Sequence, residues 1–367
     1  MKAEQRKNCL RAIGEAIDRV ITVDVTGLWY SQSQDVLKEM YEAARCKLDG
    51  PITLAIAKAL YSKVQPGDTV IINSGLTLPQ GFGETDGPLG AAALARTIQH
   101  ALKARIVMVT DDGLEEMISA TCQGAGLSAV SLERLIELRD IISIEGTSGD
   151  KHGVGVTGFP FDDIVAKHKS VELLDLLSPS ALIAVEKTGA NEQGVYHSMS
   201  GLDMSRFRSR AAILFAEAKR RNIMTVGIGD GGNEIGMGTI RDVVRELVPF
   251  GRKCQCPCEG GTADSTVVDY CLPSMVSNVG AYGVAAALAA LVDDPGLLHS
   301  GEIERRMTDA ANASGAIDAL SHYPEPTSDG LGVDAAVGIL EVLRTLICAL
   351  RVREWDDYRK IGTDQGL

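Results

Sequence analysis

Two stretches of this sequence gather carboxylates and glycines more densely than turns require. Residues 81–90 read Gly-Phe-Gly-Glu-Thr-Asp-Gly-Pro-Leu-Gly, with Glu84 and Asp86 two positions apart. Pro88 suits the first turn of a helix, whose free N–H groups would face whatever the loop holds. A helix cap needs one carboxylate. The second is available as a base or as a partner for an ammonium group, the purely structural alternative being a capping Asp86 beside a solvated Glu84. Residues 227–238 carry Gly227, Gly229, Gly231, Gly232, Gly236 and Gly238 around Asp230, Asn233 and Glu234. So much glycine means a backbone that turns tightly or meets a ligand closely. Gly227, Gly229 and Gly232 satisfy GxGxxG, the fingerprint of a dinucleotide turn. Asp230 and Glu234 would repel a pyrophosphate there, so a cationic group or a metal ion suits the loop better.

Two further segments could contribute. Glu186 and Lys187 follow an apolar run, with Thr188, Gly189, Ala190 and Asn191 behind them. Glu186 is a well-placed carboxylate and Lys187 could hold a substrate carboxylate. Alternation at a strand end sends the two side chains to opposite faces, so they do not both serve one pocket. Ser277 and Asn278 precede an Ala-rich segment and read as its cap or as site residues. Cys254, Cys256 and Cys258 form C-x-C-P-C. Zinc ribbons favour two residues between paired cysteines and a second pair elsewhere, so free thiols in a tight turn are the better reading and a structural metal is left open. His168 reads as a core residue on an apolar helical face. There is no P-loop run and no G-x-S-x-G elbow.

The elements that must position these residues alternate. The runs 70–72, 106–109, 182–185 and 224–226 are short and apolar, Thr225 excepted, as strands buried on both faces are. Helical patterns fill 89–104, 206–221, the segment from Ile164 to Leu174, 278–292, 302–313 and 332–351. The fold class expected is α/β: a multi-layer, mostly parallel sheet flanked by helices, Rossmann-like in character. Each strand leads into polar residues: Asn73 and Ser74, then Thr110, Asp111 and Asp112, then Glu186, then Asp230. In open parallel sheets ligands bind beyond the carboxyl ends of the strands.

The bulk numbers narrow the field. With 367 residues, 45% hydrophobic and 23% charged, the chain can bury a large core. A net charge of −13 disfavours nucleic acid and anionic membrane surfaces. The basic run Lys219, Arg220 and Arg221 reads as a helix C-terminus. No apolar run reaches membrane-span length, and residues 1–10 do not resemble a secretory signal. A cytoplasmic protein with reduced cysteines is expected.

The motifs resemble those of the D-glutamate cyclase family. The resemblance rests on residues 82–88, on Glu186 with Gly189, on the whole run from Gly227 to Gly238, and on residues 276–282. It spans roughly 15 to 350 of a single unit covering 1–367, with a division into two lobes near 146–153 left open. Lys187 and Thr188 stand where the family pattern has Arg-Pro, and Val279 where it has Trp; both departures bear on substrate more than on fold.

The resemblance implies loss of water from D-glutamate to give 5-oxo-D-proline. It implies catalytic roles for Glu84, Asp86, Glu186, Asp230 and Glu234: Glu84, Asp86 or Asp230 taking a proton from the amine, Glu186 or Glu234 giving one to the departing hydroxide. Oxyanion donors would be N–H groups of the 229–232 turn or of the helix start at Leu89. Substrate binding would involve Gly83, Thr85, Gly87, Lys187, Gly229, Gly231, Gly232, Asn233, Ser277 and Asn278. No cofactor is required. A divalent cation, Mg²⁺ or Ca²⁺, is the optional addition, held by Glu84, Asp86, Asp230 and Glu234. The expected partner is a small amino acid, with neither nucleic acid nor membrane involved and a homo-oligomer left open. Competing readings are a related lyase or hydrolase acting on another small amino acid, and a non-catalytic small-molecule binding protein.

Overall fold

The structure, a computed structural model, describes residues 3–27, 35–137 and 153–349. Its centre is a seven-stranded sheet in which every pair is parallel: β1 (Thr69–Ser74), β3 (Arg105–Asp111), β4 (Ala129–Ser131), β5 (Val154–Phe159), β6 (Ala181–Val185), β7 (Met224–Gly229) and β8 (Tyr270–Pro273), in the order β4-β5-β3-β1-β6-β7-β8. β1 and β6–β7 are buried throughout, which is why their sequences are continuous apolar runs. β4 and β5 flank 146–153 in sequence and pair in this one sheet; apart from Gly153, that stretch lies outside the described residues.

The strand order places a switch point at the centre. From β1 the chain moves outward to β3, whereas from β6 it moves the other way to β7. These two neighbours pair in register, Ser74 opposite Val185 and Val185 opposite Ile228. The residues after β1, β6 and β7 therefore emerge at one level of one edge, where a parallel sheet opens a crevice.

Eleven helices lie wholly within the described residues. Those that matter for the site are α4 (Pro88–Leu102), after β1, and α9 (Ser277–Val292), after β8. Residues 277–290 of α9 are all buried, as its Ala- and Gly-rich composition requires. Gly90 lies against Asn278, where an added Cβ would sit 2.6 Å from the Asn278 Cα. A two-stranded parallel ribbon pairs β2 (Gly83–Glu84) with β9 (Ala316–Ile317), fastening the first acidic loop to the C-terminal part of the chain.

Some sequence expectations need correction. α6 (Asp163–Leu177) exists, but its buried stripe is Ala166, Ser170, Leu173 and Leu174. Ile164 and Val171 are exposed, and so is His168, which is therefore not a core residue. The stripe has helical spacing, but two of its four members are small, so the larger exposed residues mislead. α7 is shorter than the pattern suggests, Ala211–Arg220, because a 3-10 turn at Ser205–Phe207 precedes it. Gly227 and Gly229 lie inside β7 rather than in a turn opening a helix, so the GxGxxG match has no dinucleotide geometry.

Gly227 has a definite packing reason. A Cβ there would sit 2.1 Å from the Ile235 carbonyl oxygen, because the second loop folds back across its own strand. Gly338, exposed within α11 (Val333–Cys348), has no atom within 4 Å of that position. Urea unfolding will show Gly227→Ala destabilised by about 2 kcal/mol or more through overpacking, and Gly338→Ala stabilised by about 0.5–1 kcal/mol through helix propensity. Equal effects at the two positions would refute the packing argument.

Candidate active site

The two helices at the crevice cap each other. Asp86 accepts from the N–H groups of Ser277 (3.0 Å) and Asn278 (2.9 Å), the first two of α9. In return the Asn278 side-chain oxygen accepts from Gly87 (2.9 Å) and Gly90 (2.6 Å) at the start of α4, and its amide nitrogen donates to the Thr85 carbonyl (3.1 Å) and the Ser328 hydroxyl (3.2 Å). Asp86 is thus a cap, but of α9 rather than of the helix that follows it. Asn278 likewise caps α4 rather than its own helix. The Ser277 hydroxyl caps neither helix and donates instead to Glu186 at 2.6 Å.

Glu186 stands one residue past β6 with φ 45, a left-handed conformation costly for a residue with a side chain and common at functional sites. Gly87, with φ 93, lets the first loop pass beneath it; a Cβ on Gly87 would come within 2.8 Å of the Glu186 Cβ. Asp230 follows β7, and its Oδ2 is buried without a hydrogen-bond partner among the described residues. One carboxylate oxygen each from Asp86, Glu186 and Asp230 gather within 4.8 Å of one another. Glu84 and Glu234 adjoin them, each acting on members of the trio through its charge.

Glu234 has a separate duty. Its two oxygens accept from the N–H groups of Gly231 and Gly232, both at 2.8 Å, which fixes the glycine loop. Two of the amides expected as oxyanion donors are therefore already engaged. The cation-binding set expected from the sequence also shifts: Asp86 and Asp230 keep their places, Glu186 joins them, and Glu84 and Glu234 fall outside the trio. Asn233 donates from its side chain to the His197 carbonyl (2.9 Å), and its own carbonyl accepts from Gly189 (2.8 Å). Gly189 must be glycine, since a Cβ would lie 2.0 Å from a carboxylate oxygen of Asp264. Thr85 donates its N–H to Ile317 (3.0 Å) and its hydroxyl to the Thr327 carbonyl (2.8 Å), closing the first loop against residues 317–328.

Lys187 does not join Glu186 in the carboxylate cluster, although both follow the end of β6 and are not in extended strand. It is buried, donates to the Gly75 carbonyl (2.6 Å) and forms an ion pair with Asp111. Burial alone would raise the Asp111 carboxyl, but Lys187 outweighs it and holds the group below the usual range. The cation that does act on the carboxylate cluster is Arg208, which no motif signalled. It is buried, donates to the Thr188 hydroxyl (3.2 Å) and the Thr77 carbonyl, and interacts through its charge with Glu84 and Glu186. Two further acids were equally silent in the sequence. Asp264 is buried and accepts from Gly236 (3.0 Å) and Gly238 (3.3 Å), securing the far end of the glycine loop. Asp329, with φ 49, is set beside the cluster by Asp318, which accepts from Gly330 at 3.0 Å.

This crowding controls protonation. Burial, then Asp86, pushes the Glu84 carboxyl up to about 8; burial pushes Asp86 up to about 7 against the pull of its capped amides. Glu186 is raised well above the ordinary range by burial and then Glu234, Asp230 by burial and then Glu186, and Asp329 by burial and then Glu84. Each of these shifts favours the protonated carboxyl. The donor set is all oxygen and compact, which fits a hard divalent cation such as Mg²⁺ or Ca²⁺. The five expected carboxylates are only 0–7% exposed, Glu84 (5%) and Glu186 (7%) most.

Fold and site together define an α/β protein with a buried carboxylate cluster at the switch point of a parallel sheet. The chain matches the family described as D-glutamate cyclase-like, C-terminal, over residues 32–344, and it belongs to that family. It is similar to the mitochondrial D-glutamate cyclase of Homo sapiens, with 27% identity over 211 residues. That match covers 57% of this chain and 30% of the human protein, so the chain spans well under two thirds of that relative. No helix among the described residues is long and apolar enough to cross a membrane.

The raised carboxyls make a signed prediction. In the unfolded chain these groups ionise near their ordinary values of about 4, whereas folded Asp86 and Glu84 keep their protons to about 7 and about 8. The folded state binds more protons between those limits, so stability falls as pH rises through them. In cation-free buffer the melting temperature will drop from pH 5.5 to 8, and Glu84→Gln will flatten the upper part of that slope. A melting temperature that climbs over the interval would contradict a protonated cluster.

Proposed function

We propose that this protein cyclises D-glutamate to 5-oxo-D-proline with loss of water. The observation that carries the reading is the convergence of Asp86, Glu186 and Asp230, with Glu84 and Arg208 beside them, at the crevice of a chain of this family.

The reaction closes a bond between the α-nitrogen and the carbon of the γ-carboxylate (Cδ) and breaks one C–O bond at that same carbon. The ammonium nitrogen gives up two protons, and the departing oxygen needs two to leave as water. No net proton enters or leaves, so the site must move protons over a few ångströms from nitrogen to oxygen. A group that accepts at one moment and donates at the next should titrate near the working pH. Glu84, at about 8, meets that condition. Asp230, with an oxygen free of hydrogen bonds, is the second candidate carrier. Ser277 orients Glu186 through its 2.6 Å hydrogen bond.

D-Glutamate brings two carboxylates into an acidic site, and charge must be balanced. Arg208 supplies one buried positive charge. A divalent cation held by Asp86, Glu186 and Asp230 would supply the rest and, when bound, would polarise the γ-carboxyl. Ring closure is already intramolecular, so what the site adds is to hold the substrate's rotatable bonds in the folded, near-attack conformation. Our reading also includes a reducing compartment, the cytoplasm, which suits eight free thiols.

Proton NMR of the purified protein with D-glutamate, and with L-glutamate in a parallel tube, tests the reaction. 5-Oxoproline will form from the D-isomer alone. Glu186→Gln and Asp230→Asn will each lower kcat/KM by about 100-fold or more, and EDTA will lower it reversibly if the cation is used. Lys187, Thr188 and Val279 depart from the family pattern, which favours a neighbouring small amino acid as the second reading. No turnover of either isomer, with turnover of another acidic amino acid, would replace D-glutamate by that substrate.

A further inference from the structure

Away from the crevice, the C-x-C-P-C turn meets a partner that its own spacing does not announce. His197, 59 residues before Cys256, points its Nε2 at the Cys256 sulfur (3.3 Å) and the Cys258 sulfur (3.5 Å). The three sulfurs are mutually close: 3.4 Å from Cys254 to Cys256, 3.3 Å from Cys254 to Cys258 and 3.4 Å from Cys256 to Cys258. All four ligand atoms lie within 4.8 Å of one another. His197 and Cys254 are buried, and Cys256 and Cys258 are half-buried.

We propose that His197, Cys254, Cys256 and Cys258 bind one zinc ion in a closed, structural S₃N site. Zinc bonds of about 2.3 Å to sulfur and about 2.0 Å to nitrogen put tetrahedral ligand atoms roughly 3.5–3.8 Å apart. The observed separations need open by only a few tenths of an ångström. Three thiolates and an imidazole are soft donors, which select zinc over the hard cations suited to the carboxylate cluster. With four protein ligands no position stays open for water, so the ion would hold structure rather than perform chemistry.

The surroundings fit thiolates. The Gly260 N–H (3.4 Å) and the Asn191 side-chain amide (3.5 Å) both donate to the Cys258 sulfur, the outer contacts that orient metal ligands and spread their charge. The Asn191 amide also donates to the Gly261 carbonyl (2.9 Å), tying the turn to the segment that follows Lys187. The His197 carbonyl accepts from Asn233 of the acidic glycine loop. The metal would therefore clamp the 196–204 and 250–262 segments together directly behind the loop bearing Asp230 and Glu234. This assignment stands whether or not the chain cyclises D-glutamate.

The test uses the full chain, purified through a tag without histidine and without chelator. Inductively coupled plasma mass spectrometry will find one zinc per chain, with Cys254, Cys256 and Cys258 protected from a thiol reagent until the protein is denatured. Replacement by Co²⁺ will give strong tetrahedral visible bands and a sulfur-to-cobalt charge-transfer band, whereas cobalt on the carboxylate cluster would give only weak absorption without the sulfur band. The Cys256→Ser/Cys258→Ser double variant will lose the zinc and melt at a lower temperature. Wild-type protein that stays zinc-free after reconstitution, with all three thiols reactive or paired as a disulfide, would overturn the proposal. So would a double variant that keeps its zinc. The measurements on the wild type need no variant to fold.

Discussion

The exchange of caps between Asp86 and Asn278 is the constraint on which the site depends. Each residue sits at the start of one helix and satisfies the start of the other. The first N–H groups of a helix have no partner within it, and here two such ends are buried face to face. Leaving them unpaired would cost a few kcal/mol. Pairing them through one carboxylate and one amide fixes the relative position of α4 and α9 to within hydrogen-bond tolerance. Ser277 is delivered to Glu186 by the same geometry. The carboxylate that caps α9 also belongs to the acidic trio, so one side chain both holds the scaffold and shapes the chemistry.

The parallel sheet supplies the rest of the convergence. Matching registers of β1, β6 and β7 release Ser74, Glu186 and Asp230 at one edge, each a single residue further along than the one before. The glycines make the close approaches possible, with Gly87 beneath Glu186 and Gly189 against Asp264. The result is a site whose carboxylates repel one another and have little water to screen them. Such a cluster is unstable in its fully ionised form, which is what makes it a strong binder of protons or cations.

Much of this was legible in the sequence, for identifiable reasons. β1, β3, β6 and β7 are buried on both faces and read as unbroken apolar runs. β5 did not, because Gly155 and Gly158 interrupt its run; Gly155 makes room for Leu135, and Gly158 for Asp112 and Glu115. β8 is four residues long and ends in proline, too short to show a period. The two loops were visible because glycine and acid are jointly improbable at that density. Arg208, Asp264 and Asp329 were not, since each is one polar residue among others in irregular chain and acquires meaning only from what the fold sets beside it. The direction of the caps was also hidden: Asp86 and Asn278 each look like a cap for the helix they precede, and only tertiary packing exchanges them. His197 escaped for a similar reason, its partners being remote in sequence.

The short pairing of Gly83–Glu84 with Ala316–Ile317 has a consequence for how the protein is made. The cysteine turn, the sheet and both capped helices are complete once the chain has passed Val292. The ribbon that seats Glu84, and the Asp318 turn that sets Asp329, come from the last part of the described chain. On the ribosome the scaffold, with Asp86, Glu186 and Asp230 already brought together, can therefore assemble while the first acidic loop still lacks its partner strand, and Glu84 and Asp329 join the trio only after residues 316–330 have emerged. Those two further charges are thus added to a frame already held by its exchanged caps.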